Sequence, residues 1–258
     1  MSTDQVNVGF YDTPGAAAHY GGRSGLLTVE VFILFKYHDE IVGSRLLDVG
    51  CGAGRTTQFL CEWVGEYVGI DYSAEMVRIC SDQHGHCRCE VADARDLSLF
   101  NDGAFDVVLF SHNGIDALPH ADRLRSLAEM RRVLRPKGLL IFSTHNRDYR
   151  HARSEPRLVW TYDPCAMLKR TVQFLRARQN RKRNRVHEQF KDDHWVLNDR
   201  AHNYSLLTYH IDRDVQEQQL SDAGYEVLDV YSKSGEALAG GARPDDSPWL
   251  YFVARRVD

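Results

Sequence analysis

"RLLDVGCGAGRTTQFL" (residues 45–60) decides how the chain is read. An apolar run reaches Asp48, glycines follow at 50, 52 and 54, and a helix-like run comes after them. A strand that passes through glycines into a helix brings bare main chain close to a ligand. Three ligands compete for such a turn: a nucleoside triphosphate, a dinucleotide pyrophosphate, or a molecule without phosphate. The triphosphate turn needs G-x-x-x-x-G-K-[ST], but Arg55-Thr56 follow Gly54 here. The dinucleotide turn is G-x-G-x-x-G, whereas this one is G-x-G-x-G, with Arg55 in the third dinucleotide place.

Strand and helix alternate outward from the turn. Residues 45–50, 66–71, 88–93, 104–111 and 138–144 read as strands. Residues 55–65, 73–83 (Ser73 as N-cap) and 120–136 read as helices, the last with Leu124, Leu127, Ala128, Val133 and Leu134 on one side. This order predicts a parallel sheet covered on both faces, with ligands beyond the carboxyl ends of the strands. Residues 212–224 read as a helix, and 226–235 and 247–256 as a C-terminal antiparallel hairpin.

The acids at the strand ends choose among the ligands. Asp48, before the turn, repels a pyrophosphate but suits an ammonium. Asp71 lies about 20 residues after the glycines, where a carboxylate reaches ribose hydroxyls. Asp93 ends the third strand, where it can accept from an adenine amino group. An ammonium, a ribose and an adenine together describe S-adenosylmethionine.

With these residues the sequence resembles the class I S-adenosylmethionine-dependent methyltransferases, and bacterial small-molecule methyltransferases among them. The likeness is carried by "LLDVGCGAGRTTQFL", "GIDYSAEMV", "VADARDL", "FDVVLFSHNGIDAL" and "EMRRVLRPKGLLIFSTHN", strongly over residues 45–146 and moderately in "WLYFVARR". It implies a single-domain α/β Rossmann-like, doubly wound, seven-stranded sheet, mostly parallel with an antiparallel last strand and helices on both faces. It implies S-adenosylmethionine as cofactor, S-adenosylhomocysteine as product, and no metal. Gly50, Cys51 and Gly52 would approach the methionine part, with Asp48 and Ser111 nearby. Asp71 would hold the ribose, Tyr72 and Met76 would pack on the nucleoside, and Asp93-Ala94 would frame the adenine. Tyr11, Tyr20 and Arg23 fall where relatives close an N-terminal segment over the cofactor, so residues 1–43 are expected to form a helical cap. The fourth strand ends in Ser111-His112-Asn113 rather than N/D-P-P-Y/F, which argues against amino-group methylation of nucleic acid or protein glutamine.

Transfer from a sulfonium is an in-line displacement governed by alignment. A hydroxyl acceptor also needs a base, and His112 and His145 stand at strand ends for it, or are loop histidines bonded to main chain. Asn113, Asn146 and Tyr204 are candidate substrate contacts, the asparagines equally readable as strand-end caps and Tyr204 as a half-buried strand residue.

Residues 147–210 are expected to form an insertion over the crevice. Its basic run "KRTVQFLRARQNRKRNR" (169–185) is a solvated helix face, or else the docking surface of an RNA or protein methyltransferase. Phe174 is the one aromatic in that run, so stacking on bases has little support. The acceptor favoured is an oxygen or nitrogen of a small molecule, a natural product or sugar. A binding module that keeps the cofactor fold without turnover is the non-enzyme alternative.

Composition is consistent with this. The 258 residues are 43% hydrophobic with net charge −4, enough for a core and poorly suited to general nucleic-acid binding. No apolar run approaches ~18 residues, and "MSTDQVNVGFYDTPG" lacks a signal-peptide layout, so a cytoplasmic monomer or homodimer is expected. Six cysteines are too few for a disulfide scaffold and are expected reduced. "HGHCRC" (84–89) lacks the spacing of a structural zinc site.

Overall fold

In the computed structural model, Asn7 and residues 25–258 are described, with main chain alone at 201 and 202. Strands β1 (Arg45–Val49), β2 (Glu66–Asp71), β3 (Arg88–Val91), β4 (Phe105–Phe110) and β5 (Leu134–Asn146) alternate with helices α3 (Thr57–Trp63), α4 (Ala74–Gln83) and α5 (His120–Val133). Ahead of them lie α1 (Thr28–Lys36) and α2 (His38–Ile41). After them come α6 (Pro164–Asn184), β6 (Gln189–Phe190), β7 (Trp195–Leu197), β8 (Thr208–Ile211), α7 (Arg213–Asp222), β9 (Tyr225–Ser232) and β10 (Trp249–Arg256).

Pairing gives a seven-strand core in the order β3-β2-β1-β4-β5-β10-β9. The first five strands are parallel, and β10 runs antiparallel between β5 and β9, so the last strand is the reversed one. The crossover between β1 and β4 is the point where strand order reverses and where a crevice opens.

Side chains alternate across the strands, so each strand feeds two cores. Leu47, Val49, Val108, Leu140, Phe142 and Phe252 pack with Leu127, Met130 and Val133 of α5 and Leu220 of α7. On the opposite face Leu46, Val107, Leu109, Ile141, Tyr251 and Val253 pack with Ile33 and Leu34 of α1, Ile41 of α2 and Leu60 of α3.

The structure corrects four sequence readings. Helix α5 stops at Val133, because Leu134 already pairs with Phe105 as the start of β5. Its buried side carries Arg123, Ser126, Leu127, Met130 and Val133, while Leu124 is exposed. β3 ends at Val91, so Asp93 lies in a short bridge to Asp96 beyond the strand. Cys61 and Cys87 are joined as a disulfide, against the expectation of six thiols; Cys51, Cys80, Cys89 and Cys165 are free.

The insertion extends the sheet to ten strands. β8 pairs parallel with β5 at His145 and Asn146, and β7 and β6 add antiparallel beyond it. At His145 one edge of β5 is already taken by Trp249 of β10, and β4 leaves the other edge after Phe142. β8 therefore occupies the edge that β4 vacates. This stands residues 208–211 beside the segment that follows β4, at the mouth of the crevice. Tyr11, Tyr20 and Arg23 lie outside the described residues.

Candidate active site

The glycine turn is bent as its sequence demands. Gly50, Gly52 and Gly54 have φ of +68°, +57° and +93°, a region that side chains rarely adopt. A Cβ on Gly50 would meet the Phe110 ring at 2.9 Å, and one on Gly54 would meet His84 at 2.5 Å, whereas Gly52 opens to free space. The turn thus packs on its flanks and presents main chain at its centre.

Asp71 fastens this turn to β2. It accepts from Gly52 N at 3.0 Å and from Ser73 N at 2.9 Å, so ribose binding and turn geometry depend on one carboxylate. Asp48 is buried and accepts from Thr56 Oγ1 at 2.6 Å and Tyr67 OH at 2.8 Å. Burial pushes its carboxyl up to about 6, against those two bonds. Asp93 is held bidentately by Arg95, with Arg95 Nη2 at 2.6 Å. Burial raises the Asp93 carboxyl, but the Arg95 contacts outweigh this and leave it lowered.

A cavity runs along these strand ends. Asp48, Gly50, Cys51 and Gly52 line one end of it, and Asp71, Tyr72, Met76, Asp93 and Ala94 line the other. Ser111, His112, Arg55, Arg95, Leu118 and Asn7 complete the wall. Every expected cofactor residue among the described ones is thus brought to one cavity. Ala92, Ala94, Met76 and Leu118 offer apolar surface for a flat ring beside Asp93, and Asp71 stands between that ring site and the open glycine turn. An adenine, a ribose and an amino-acid chain fit this sequence of surfaces.

Several site residues escaped the sequence reading. Glu30 of α1 is buried and forks onto Arg55, with oxygens 2.7 and 2.6 Å from its nitrogens. It also accepts from Leu27 N at 2.7 Å and from Ser111 Oγ. Burial raises the Glu30 carboxyl, but Arg55, together with the Ser111 and Leu27 bonds, more than offsets this and it ends lowered. Arg55 was visible only as the residue that broke the dinucleotide pattern; here it ties α1 and the end of β4 to the turn. Asn7 donates to Ala117 O and Leu207 O at 2.8 Å each, which links the cavity wall to the insertion through one side chain.

The second centre lies behind His112. Asp116, in the short turn Gly114–Ala117, is fully buried. It accepts from Arg123 Nη1 at 2.5 Å, Thr144 Oγ1 at 2.7 Å, His145 N at 2.6 Å and His145 Nδ1 at 2.7 Å. Burial would raise the Asp116 carboxyl, but the charge of Arg123 and the His145 contact hold it low. Burial alone would lower His145, yet the Asp116 bond wins and its imidazole pKa is raised. The Asp116 contact makes Nδ1 the protonated nitrogen and directs Nε2 toward Asn113 Nδ2, 3.4 Å away, and Asp199, 3.9 Å away.

His112 and Asn113 both take left-handed φ, 55° and 59°, which is costly for residues other than glycine. The His112 ring lies 5.0 Å from that of Trp249, and His145 lies 6.1 Å from Trp249 on its other contact. His112 faces the cofactor cavity, whereas His145 does not line it. Asn113 Oδ1 is buried with no partner among the described residues. Two expected substrate contacts are engaged elsewhere. Asn146 Nδ2 bonds Pro244 O at 2.6 Å and Ser247 O at 3.0 Å, bracing the loop before β10. Tyr204 is buried, with its hydroxyl 3.3 Å from Ser154 Oγ, and does not line the cavity.

Residues 46–138 match the sequence model of the methyltransferase domain family. This stretch is a class I S-adenosylmethionine-dependent methyltransferase domain. The fold agrees: a methyltransferase of that dependence from Clostridium acetobutylicum superposes with a TM-score of 0.61 at 15% identity, covering 90% of this chain and 92% of that one. Among curated proteins, a phthiotriol/phenolphthiotriol dimycocerosates methyltransferase of Mycobacterium ulcerans is 34% identical over 110 residues, 41% of this chain and 39% of the relative. A ubiquinone biosynthesis O-methyltransferase of Methylococcus capsulatus is 30% identical over 162 residues, 57% of this chain and 65% of the relative. The chain therefore spans less than two thirds of either relative, and the family match ends at residue 138, ahead of the insertion. No helix among the described residues is long and apolar enough to cross a membrane.

Proposed function

We propose that the protein transfers the methyl group of S-adenosylmethionine to an oxygen or nitrogen of a small molecule, with a hydroxyl as the favoured acceptor. The observation that carries the hydroxyl is the buried Asp116–His145 pair. Proton removal from a hydroxyl needs a base held in one tautomer, and a carboxylate on Nδ1 leaves Nε2 as the proton acceptor. The relatives named for phthiotriol dimycocerosates and ubiquinone support a small-molecule acceptor.

When bound, S-adenosylmethionine supplies an electrophilic methyl carbon on a sulfonium. The chain's own residues align the partners. Gly50, Gly52 and Arg55 receive the amino-acid end, Asp71 the ribose, and Asp93-Ala94 with Met76 the adenine. Asn113, with its unpartnered Oδ1, orients a donor on the acceptor molecule. His112 contacts the acceptor at the cavity wall, and His145 takes the proton. Residues 147–210 close the acceptor side, because β8 stands beyond β4. The basic helix favours a docking role for RNA or protein less than its composition suggested: Arg181 is paired with Glu155 and Glu188, and Arg170 with main-chain carbonyls.

Calorimetry with S-adenosylhomocysteine tests the cofactor, and transfer of labelled methyl to a panel of phenols, quinols, hydroxy acids and amines tests the acceptor. No binding of either sulfonium or product would sink the reading. Methylation restricted to RNA or protein would replace it with the docking alternative. His145→Ala and His112→Ala that both keep full kcat would remove the base.

A further inference from the structure

Three thiols outside the proposed chemistry converge beneath the glycine turn. Cys51 comes from the turn itself, Cys80 from α4 and Cys89 from β3, and their sulfurs all lie within 4.8 Å of one another. Cys80 and Cys89 sulfurs are 3.0 Å apart. Cys51 and Cys80 are buried, and Cys89 is partly open, which gives the cluster an entrance. His84 follows α4 as the residue that closes it, its main-chain N donating to Cys80 O at 2.8 Å, and its ring stands beside the three sulfurs rather than within their 4.8 Å set. Its Nε2 and the Cys80 sulfur both press on the space that Gly54 leaves empty, 2.9 and 3.1 Å from where a Cβ would stand.

We propose that Cys51, Cys80 and Cys89, with His84 as fourth donor, bind a single thiophilic d10 ion such as Zn(II). Three sulfurs and an imidazole are a donor set that suits tetrahedral zinc, with Zn–S near ~2.3 Å. Sulfurs arranged tetrahedrally at that radius stand about 3.8 Å apart, between the 3.0 Å that separates Cys80 from Cys89 and the 4.8 Å that bounds the cluster, so small side-chain adjustments bring all three onto one ion. A disulfide would use two of the sulfurs and leave the third unexplained; Cys61 and Cys87 show that this part of the chain forms one where only two meet. Ion entry displaces the thiol protons to solvent, with no change of oxidation state. Because Cys51 lies between Gly50 and Gly52, the ion would also fix the turn that faces the cofactor.

The test uses the full chain, reduced, loaded with Zn(II) and desalted through a moderate chelator, with zinc counted by mass spectrometry. The expected result is one ion per chain, and on Co(II) substitution the visible ligand-field and sulfur charge-transfer bands of a tetrahedral thiolate site. Cys80→Ser and Cys89→Ser should each lose the ion while Cys165→Ser, at an exposed free cysteine, retains it. Melting curves confirm that each variant is folded, and Cys89→Ser, at the partly open position, serves if Cys80→Ser is not. No zinc retained by the reduced wild type, or retention unchanged in both serine variants, overturns the proposal. So does a Cys80–Cys89 disulfide in protein purified without reductant combined with no zinc after reduction. None of these readouts needs methyl transfer, so they stand apart from the test of function.

Discussion

Replacing Asp116 with Asn keeps the shape of the side chain and removes its charge. Two sets of donors converge on the carboxylate: Arg123 and Thr144 on Oδ1, and the His145 main-chain and ring nitrogens on Oδ2. An amide has one oxygen, so one set must face an NH2 group. Arg123, itself with no exposed side chain, keeps Gln216 at 2.6 Å and Thr144 at 3.1 Å but loses the one carboxylate it pairs with among the described residues. Leaving a buried charge without its partner costs about 3–5 kcal/mol. For a chain of this size each kcal/mol moves the thermal midpoint by about 2–4 °C, which puts the expected fall at about 6–20 °C. Differential scanning calorimetry measures it. The variant Asp116→Asn/Arg123→Met, which removes both charges, should recover part of the loss, because the penalty comes from the orphaned guanidinium. A midpoint within about 2 °C of wild type for Asp116→Asn, on a scale where 1 kcal/mol is that large, would refute the reasoning. So would a double variant that is no better than the single one.

With His145 as the proposed base, it must be neutral to act, so kcat should rise with pH through a value above the ordinary imidazole pKa of 6.5, and Asp116→Asn should move that limb to lower pH. The same raised pKa stabilises the fold below 6.5, and the stabilisation is lost as pH rises through the folded value; the gap in midpoint between wild type and His145→Gln should therefore narrow on going alkaline. Asp71→Ala should weaken S-adenosylhomocysteine binding by about 1.5–3 kcal/mol, the scale of hydrogen bonds to a charged group, and unchanged affinity by calorimetry would contradict its placement. Gly54→Ala should lose on the order of 1–3 kcal/mol from its left-handed backbone alone. The Cβ contact at 2.5 Å to His84 adds to that loss, so a denaturation midpoint equal to wild type would show that the turn has another shape.

What the sequence revealed follows physical periodicity. β1, β2, β4 and β10 are apolar runs bounded by charge or glycine, and Ser73 and Asp212 accept from Met76 N and Val215 N as N-caps should. The residues expected at the cofactor were legible as lining of one cavity for the same reason: apart from Met76 of α4, they lie at or just beyond strand ends. Arg123 was not, because a fully buried arginine reads as the polar side of a helix, and its presence rotated the inferred apolar face onto Leu124. β6 to β8 are two to four residues long and too short to show alternation. Glu30 and Asp116 act through partners 25 and 29 positions away, and a pairing of that kind leaves no local pattern.

The two halves of the site are held by different forces, and this bears on how each can change. The cofactor half rests on backbone geometry: positive φ at three glycines, and Asp71 bonded to Gly52 N. Its side chains can vary if that backbone persists. The acceptor half rests on charge buried among α5, α7, β5 and β8, where Arg123 touches Asp116, Gln216 and the Tyr209 ring at 4.5 Å. Asp116 therefore cannot be altered to suit a new acceptor without also loosening the core. Asp199 reaches that set from the insertion side, 3.9 Å from His145 Nε2 and 3.7 Å from His210 Nε2. His210 has its pKa lowered, chiefly by burial, and its ring lies 4.9 Å from that of His145, tilted by 33°. Leu207 and Tyr209 of the insertion are themselves fully buried, and Tyr209 packs on Arg123, so a change in this part of the insertion reaches the same core.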